Sequence, residues 1–158
     1  MKKLMLIVCL PILFLVGCSD SLDDFKAYKG IPASRIFNRA EKNLANNKYE
    51  KAVKDLEALD SIYPFGPFAR QGQLDIIYAY YKKGDTASAL ATADRYIRLY
   101  PRTRHVDYAY YMKGLVLFEQ GYTWLQRRLD VDPAHRDLTT KKQAFMAFNE
   151  LVHYFPHS

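Results

Sequence analysis

Ala89-Leu90-Ala91-Thr92-Ala93-Asp94-Arg95-Tyr96-Ile97-Arg98-Leu99-Tyr100-Pro101 closes the segment Tyr63 to Pro101 with one spacing: small or apolar residues at the start and at +4, +7 and +10, then an aromatic and a proline. Upstream, Ala52, Leu56, Leu59, Ile62, Tyr63 and Pro64 repeat it, and downstream Ala144, Phe148, Leu151, Tyr154, Phe155 and Pro156 do so again. Rows spaced i, i+4, i+7 lie on one side of a helix, and an alanine among them lets two helix backbones approach closely. Proline cannot continue the helix, so each copy stops at the same point. Three such matches make the chain an internal repeat.

A first helix precedes each of these second helices. In the middle unit Gln71 to Lys83 carries Leu74, Ile77, Tyr78, Tyr80 and Tyr81, and Gly84-Asp85 supplies the turn. In the first unit Ser34 is the expected N-cap of a helix from Arg35 to Asn46 with Ile36, Ala40 and Leu44 aligned. Asn46-Asn47 turns the chain, Tyr49 packs at the exit, and Glu50 to Ile62 completes the unit. The third begins at Asp107 with Tyr108, Tyr111, Met112, Leu115 and Phe118, and includes Gly114 for close packing; its second helix starts near Thr139 or Thr140. The fold predicted is all-α, a tetratricopeptide-type helix-turn-helix solenoid of about three repeats, near 33–64, 65–101 and 102–158. Gly121 to Leu138, with Trp124, Arg127-Arg128 and Asp130 to Asp137, is longer than a repeat turn, and loops of that length are usually functional or disordered. No polar capping helix follows Pro156, so the expectation is a truncated chain or a last repeat covered by something else.

The other end reads differently. Met1-Lys2-Lys3 is a basic lead, Leu4 to Val16 an apolar run interrupted by Pro11 and too short for a good membrane span, and Leu15-Val16-Gly17-Cys18 resembles the lipobox of bacterial lipoproteins. The alternative is an ordinary signal that happens to contain Cys18. The lipobox reading makes residues 1–17 a signal peptide and 18–32 a lipidated tether, of which Ser19 to Pro32 reaches roughly 45 Å when extended and about 20 Å as a coil. The resemblance implies acyl chains on Cys18, enough to hold the protein on a membrane, and Ser19 in place of aspartate implies the outer one. Cys9 leaves with the signal and Cys18 is lipidated, so the mature chain has no thiol for a disulfide, metal or nucleophile. The formal charge of +6 falls to +4 once Lys2 and Lys3 are removed, a mild excess interspersed with acids. It marks no nucleic-acid surface, and Arg127-Arg128 and Lys141-Lys142 read as solvated faces.

Enzyme chemistry finds little support. There is no Gly-rich phosphate loop, His105, His135, His153 and His157 lack metalloprotease spacing, and Asp130-Val131-Asp132 lacks the glycine and closing glutamate of a calcium loop. No metal or cofactor is expected beyond the covalent lipid. Binding is better served. Tyr63-Pro64-Phe65-Gly66-Pro67-Phe68 joins the first two repeats through a rigid apolar connection. The first-helix positions that line the concave side offer Phe37 and Leu44, then Tyr78, Tyr81 and Lys82, then Tyr108, Tyr111 and Phe118. Any one ring serves packing as well as binding. Together with Tyr63, Phe65 and Phe68 they suggest a groove for an extended segment with alternating aromatic and apolar side chains, the character of a membrane barrel strand. Lys82, Lys113 or Arg70 are candidates to meet a substrate carboxylate.

The lipobox ending at Cys18, Leu56-Glu57-Ala58-Leu59-Asp60, Tyr63 to Phe68, Gln73 to Lys82, Asp94 to Pro101 and Asp107 to Leu115 together resemble the N-terminal part of the BamD family of outer-membrane-assembly lipoproteins. The resemblance covers almost all of the mature chain. It implies a periplasmic solenoid lipid-anchored to the outer membrane, whose first repeats recognise the terminal targeting strand of unfolded barrel proteins. The implied partners are those substrates, the barrel protein BamA and other assembly lipoproteins. Docking to BamA is implied for the last two of five repeats, which this sequence does not contain. It also has Leu138 after His135-Arg136-Asp137, where the family tends to have proline. Two alternatives stay open: a general periplasmic adaptor or scaffold, for which a polar groove is expected, and an inactive truncated member.

Overall fold

In the computed structural model the described residues are 25–120 and 138–158. The expected signal peptide, Cys18 and nearly all of the 121–138 insertion, Trp124 included, lie outside them. Contacts divide the chain into Met1–Gly30 and Ile31–Ser158. Within the first unit Lys26–Tyr28 form one 3-10 turn, closed by the Tyr28 N–H donating to the Phe25 carbonyl at 3.0 Å. Phe25 and Tyr28 meet edge to face at 6.2 Å. This turn falls inside the stretch read as tether, and it is too short to leave an apolar period in the sequence.

The second unit consists, among the described residues, of six α-helices and no strand: α1 Ala33–Ala45, α2 Tyr49–Ile62, α3 Ala69–Lys83, α4 Thr86–Leu99, α5 Val106–Glu119 and α6 Leu138–Tyr154. Each packs on its neighbour in sequence, and α3 also touches α5, which is the pairing of a tetratricopeptide-type solenoid. Short connections make consecutive helices antiparallel. For α5 and α6 the contacts show it directly, since Tyr110 meets Tyr154, Gly114 faces Phe148, and Leu117 clusters with Ala144.

Helix ends follow local chemistry with one correction. Ser34 is not the cap of α1; Pro32 holds that place, and its carbonyl accepts the N–H groups of Arg35 and Ile36. The fixed φ of proline, here −59°, sets the entry without any side-chain bond. Gly84 ends α3 in the left-handed region at φ 87°, so that Gly84 and Asp85 N–H groups reach the Tyr81 and Tyr80 carbonyls. Asp85 then caps α4 by accepting the Ser88 N–H at 3.1 Å.

The repeat spacing translates into packing, except at one position. Ala52, Ala89 and Ala144 are all buried, as are Leu56, Leu59, Ala93 and Tyr96. Two of the +10 residues behave otherwise, Leu99 at 57% and Tyr154 at 60% exposed, while Ile62 is half-buried. At about 100° per residue, +4, +7 and +11 fall within about 40° of the alanine, whereas +10 falls about 80° away. Tyr100 and Phe155, at +11, pack on the central cluster of Leu74, Ile77, Ala93, Tyr96, Val106, Ala109 and Met112. Gly114 lets the Phe148 ring of α6 lie against α5, because a Cβ there would stand 2.6 Å from Phe148 Cε1.

Candidate functional site

The first helices α1, α3 and α5 carry the residues singled out for binding, and α3 holds the centre. Gln71, Asp75, Tyr78 and Lys82 follow one another at +4, +7 and +11, so they form one stripe along α3. Tyr108 and Tyr111 on α5 stand ring to ring at 6.4 Å and are 36% and 44% exposed. Tyr111 also meets Phe148 of α6 at 6.4 Å.

Asp75 lies near Glu41 of α1 and Tyr108 of α5. Gln71 Nε2 donates to its Oδ1 at 2.8 Å, while Oδ2 is buried and has no hydrogen-bond partner. Burial, and secondarily the Glu41 carboxylate of α1, push the Asp75 carboxyl up to about 7, against the opposing bond from Gln71. Protonated, it can donate to Glu41; ionised, its Oδ2 faces no donor. The Tyr108 hydroxyl is likewise pushed up to about 12, first by burial and then by the nearby Asp75, Tyr78 and Tyr111 oxygens. An acceptor surrounded by tyrosine rings therefore occupies the middle of this face. Sequence reasoning passed over Asp75 and Glu41, although the +4 and +7 spacing to Tyr78 was a readable signal.

The rings expected in the groove separate into two groups. Tyr108, Tyr111, Phe118 and Phe65 are exposed. The others are half-buried. Phe37 lies against Phe68 at 5.1 Å, joining α1 to the start of α3. The Tyr63 hydroxyl donates to the Ile31 carbonyl at 2.8 Å and pins the aromatic connection to the beginning of α1. Tyr78 and Tyr81 both pack against the central cluster, and Tyr78 also receives the edge of Tyr49 at 6.3 Å. Leu44 is half-buried.

The three cations offered for a carboxylate separate in the same way. Lys113 is held by Asp94 at 2.8 Å beside a cavity of about 360 Å³ that Leu117 and Met146 also line. Lys82 lies over the Tyr49 ring at 5.7 Å and borders a cavity of about 410 Å³ at the α1–α2 turn with Lys48 and Lys51. Arg70 lines a cavity of about 240 Å³ with Arg104 and His105, at the opposite end of the helices. Among the described residues no group of three or more His, Cys, Asp or Glu is placed to hold a metal ion. This face thus carries aromatic contact area and one buried acceptor, with cations near the two ends of the helices.

Residues 29–158 match the YfiO family, described as outer membrane lipoprotein. Outer membrane protein assembly factor BamD of Vibrio cholerae is 38% identical over 149 residues, covering 94% of this chain and 61% of that protein. The protein of the same name in Neisseria meningitidis serogroup A is 38% identical over 161 residues, covering 100% and 60%, and that of Pasteurella multocida is 33% identical over 151 residues, covering 96% and 56%. The chain spans about three fifths of the length of these relatives. With a match that takes in every helix of the solenoid, the chain belongs to the YfiO family of outer membrane lipoproteins.

Proposed function

We propose that the chain acts in outer-membrane protein assembly as a binding module. It holds unfolded barrel polypeptides in extended form along α3 and α5, at the periplasmic face of the outer membrane, through acyl chains on Cys18. The observation that carries this reading is the juxtaposition of Asp75 with Tyr78, Tyr108 and Tyr111. Rings with two side-chain torsions give large contact areas at small entropic cost. The alternating side chains of a barrel strand match that surface, with apolar groups against the rings and a polar group at Asp75. Partnership with BamA and other assembly lipoproteins belongs to the same reading, on the strength of the relatives named BamD. A binding module needs no nucleophile, and no catalytic step is assigned.

The test is a titration of the acylated chain in detergent with a fluorescent peptide copying the last strand of an outer-membrane barrel, beside a scrambled control. Tyr108→Ala with Tyr111→Ala is the informative variant, because both rings are partly exposed whereas Tyr78 and Tyr81 support the interior. Sequence-dependent binding that weakens about tenfold or more in the double variant supports the reading. Equal binding of both peptides, or binding indifferent to the variant, removes it.

A further inference from the structure

The helix connections fall at two ends of the solenoid, and the end where the chain enters is unlike the other. Tyr63–Phe68, Tyr100–His105 and the stretch after α6 all lie at the end where α1 begins. The Tyr63 bond to Ile31 shows this, as do Pro67 and Arg70 lining one cavity with Thr103 and Arg104. Phe65 is 96% exposed on a connection that Pro64 and Pro67 hold rigid. A lone exposed ring is common, but this one stands among arginines.

Arg70, Arg98, Arg102 and Arg104 are exposed at this end, and among the described residues none of them is in an ion pair. Arg39 and Arg95, by contrast, are each paired with an aspartate. Arg70 sits in the first turn of α3, where the helix field disfavours a cation, so helix stability does not account for it. The nearby acids are already engaged: Asp60 accepts from Arg95 and Gln73, and Asp107 accepts the Tyr108 N–H. The opposite end carries lysines as well, but only this end receives the chain from the stretch that begins at Cys18.

We propose that the end built by Tyr63–Phe68 and Tyr100–His105 is a membrane-contact surface, with Phe65 in the interfacial layer of an anionic bilayer and Arg70, Arg102 and Arg104 on its phosphates. Aromatic rings settle at the headgroup level, and each arginine near an anionic surface strengthens attachment about fivefold. A lipidated chain gives one attachment; a second contact would fix which end of the solenoid faces the lipid and leave the face of α3 and α5 turned sideways to it. This is independent of what that face binds.

The experiment uses the full acylated chain in vesicles of phosphatidylethanolamine and phosphatidylglycerol. Trp124, the only tryptophan, is replaced by phenylalanine, and a single reporter is installed as Phe65→Trp or, at the far end, Lys83→Trp. Both sites are exposed, and circular dichroism confirms that the helices survive. Quenching of residue 65 by lipids brominated on their acyl chains, with acrylamide quenching weaker than at residue 83, is the expected result. Arg102→Glu with Arg104→Glu should return residue 65 to the acrylamide sensitivity of residue 83. Equal acrylamide quenching at the two sites overturns the proposal. So does protection of residue 65 that arises only when an unfolded barrel polypeptide is added, or that persists unchanged in the arginine variant.

Discussion

Asp75→Asn should make the protein more stable at pH 8 and leave it nearly unchanged at pH 4. The carboxyl of Asp75 stands at about 7 in the fold against 3.8 in an unfolded chain, chiefly because it is buried. Between those values the folded state binds the proton that the unfolded state has lost, so stability falls as pH rises through the window. Above pH 7 the whole cost of holding an ionised carboxylate there is present, about 4 kcal/mol at most, and below pH 4 it vanishes. Asparagine has the same shape, accepts the bond from Gln71 through its carbonyl, and offers Glu41 the donor that only protonated Asp75 provides. Urea unfolding followed by circular dichroism at pH 4.5 and pH 8, for both proteins, measures the effect. The stabilisation by Asp75→Asn should be about 2 kcal/mol or more at pH 8 and at most about 1 kcal/mol at pH 4.5. An equal difference at the two pH values would refute the reasoning, because a packing effect does not titrate over that range.

Three further outcomes test the packing. Gly114→Ala should cost about 1–3 kcal/mol in urea unfolding, since its Cβ would lie 2.6–2.9 Å from the Phe148 ring, and adding Phe148→Leu should recover part of the loss. Leu59→Ala should cost about 2–5 kcal/mol, whereas Leu99→Ser, at the exposed +10 position, should cost under about 0.5 kcal/mol. Arg39→Met removes the guanidinium from Asp55, which is 4% exposed and keeps the bond from Asn43; because Arg39 itself is half in solvent the loss should be about 1–2 kcal/mol, read as a lower midpoint in thermal unfolding.

How far the sequence carried the reading depended on the range of the interaction. Helix starts and stops are local, so the alanine rows, Gly84-Asp85 and the aromatic-proline stops located five connected helices and their turns within a few residues. Treating +10 as part of the buried row was an error of angle, visible once the helix is counted at 100° per residue. The rings were legible as a set but not by use. Whether Tyr63 faces a ligand or reaches back to Ile31, and whether Phe37 lies free or against Phe68, depends on pairs about thirty residues apart. Lys113 and Asp94 pose the same problem across α4 and α5. Asp75 was missed because a single acid in a helix ordinarily reads as a solvated charge, and the groups it meets on other helices, Glu41 of α1 and Tyr108 of α5, are about thirty residues away in sequence.

The treatment of three aspartates argues that the face of α3 and α5 is shaped for something other than stability. Asp55, the most buried, accepts from the Arg39 guanidinium at 2.8 Å and from Asn43 at 2.9 Å. Asp60 accepts from Arg95 at 2.6 Å and Gln73 at 2.8 Å. Both acids sit on α2, turned toward neighbouring helices, and each is matched by a cation and an amide. Asp75 has the amide of Gln71 but no cation. The nearest basic residue on its own stripe, Lys82, is seven residues on, about 10 Å along the axis. Its neighbour Glu41 makes ionisation harder rather than easier. A residue kept only for the fold would be supplied with the missing partner, or replaced by asparagine at a gain. An acceptor left open among exposed tyrosines instead suits a donor that arrives with a bound chain. If so, a barrel peptide bearing a hydroxyl or amide opposite Asp75 should bind more tightly at pH 8 than at pH 6, and Asp75→Asn should flatten that dependence.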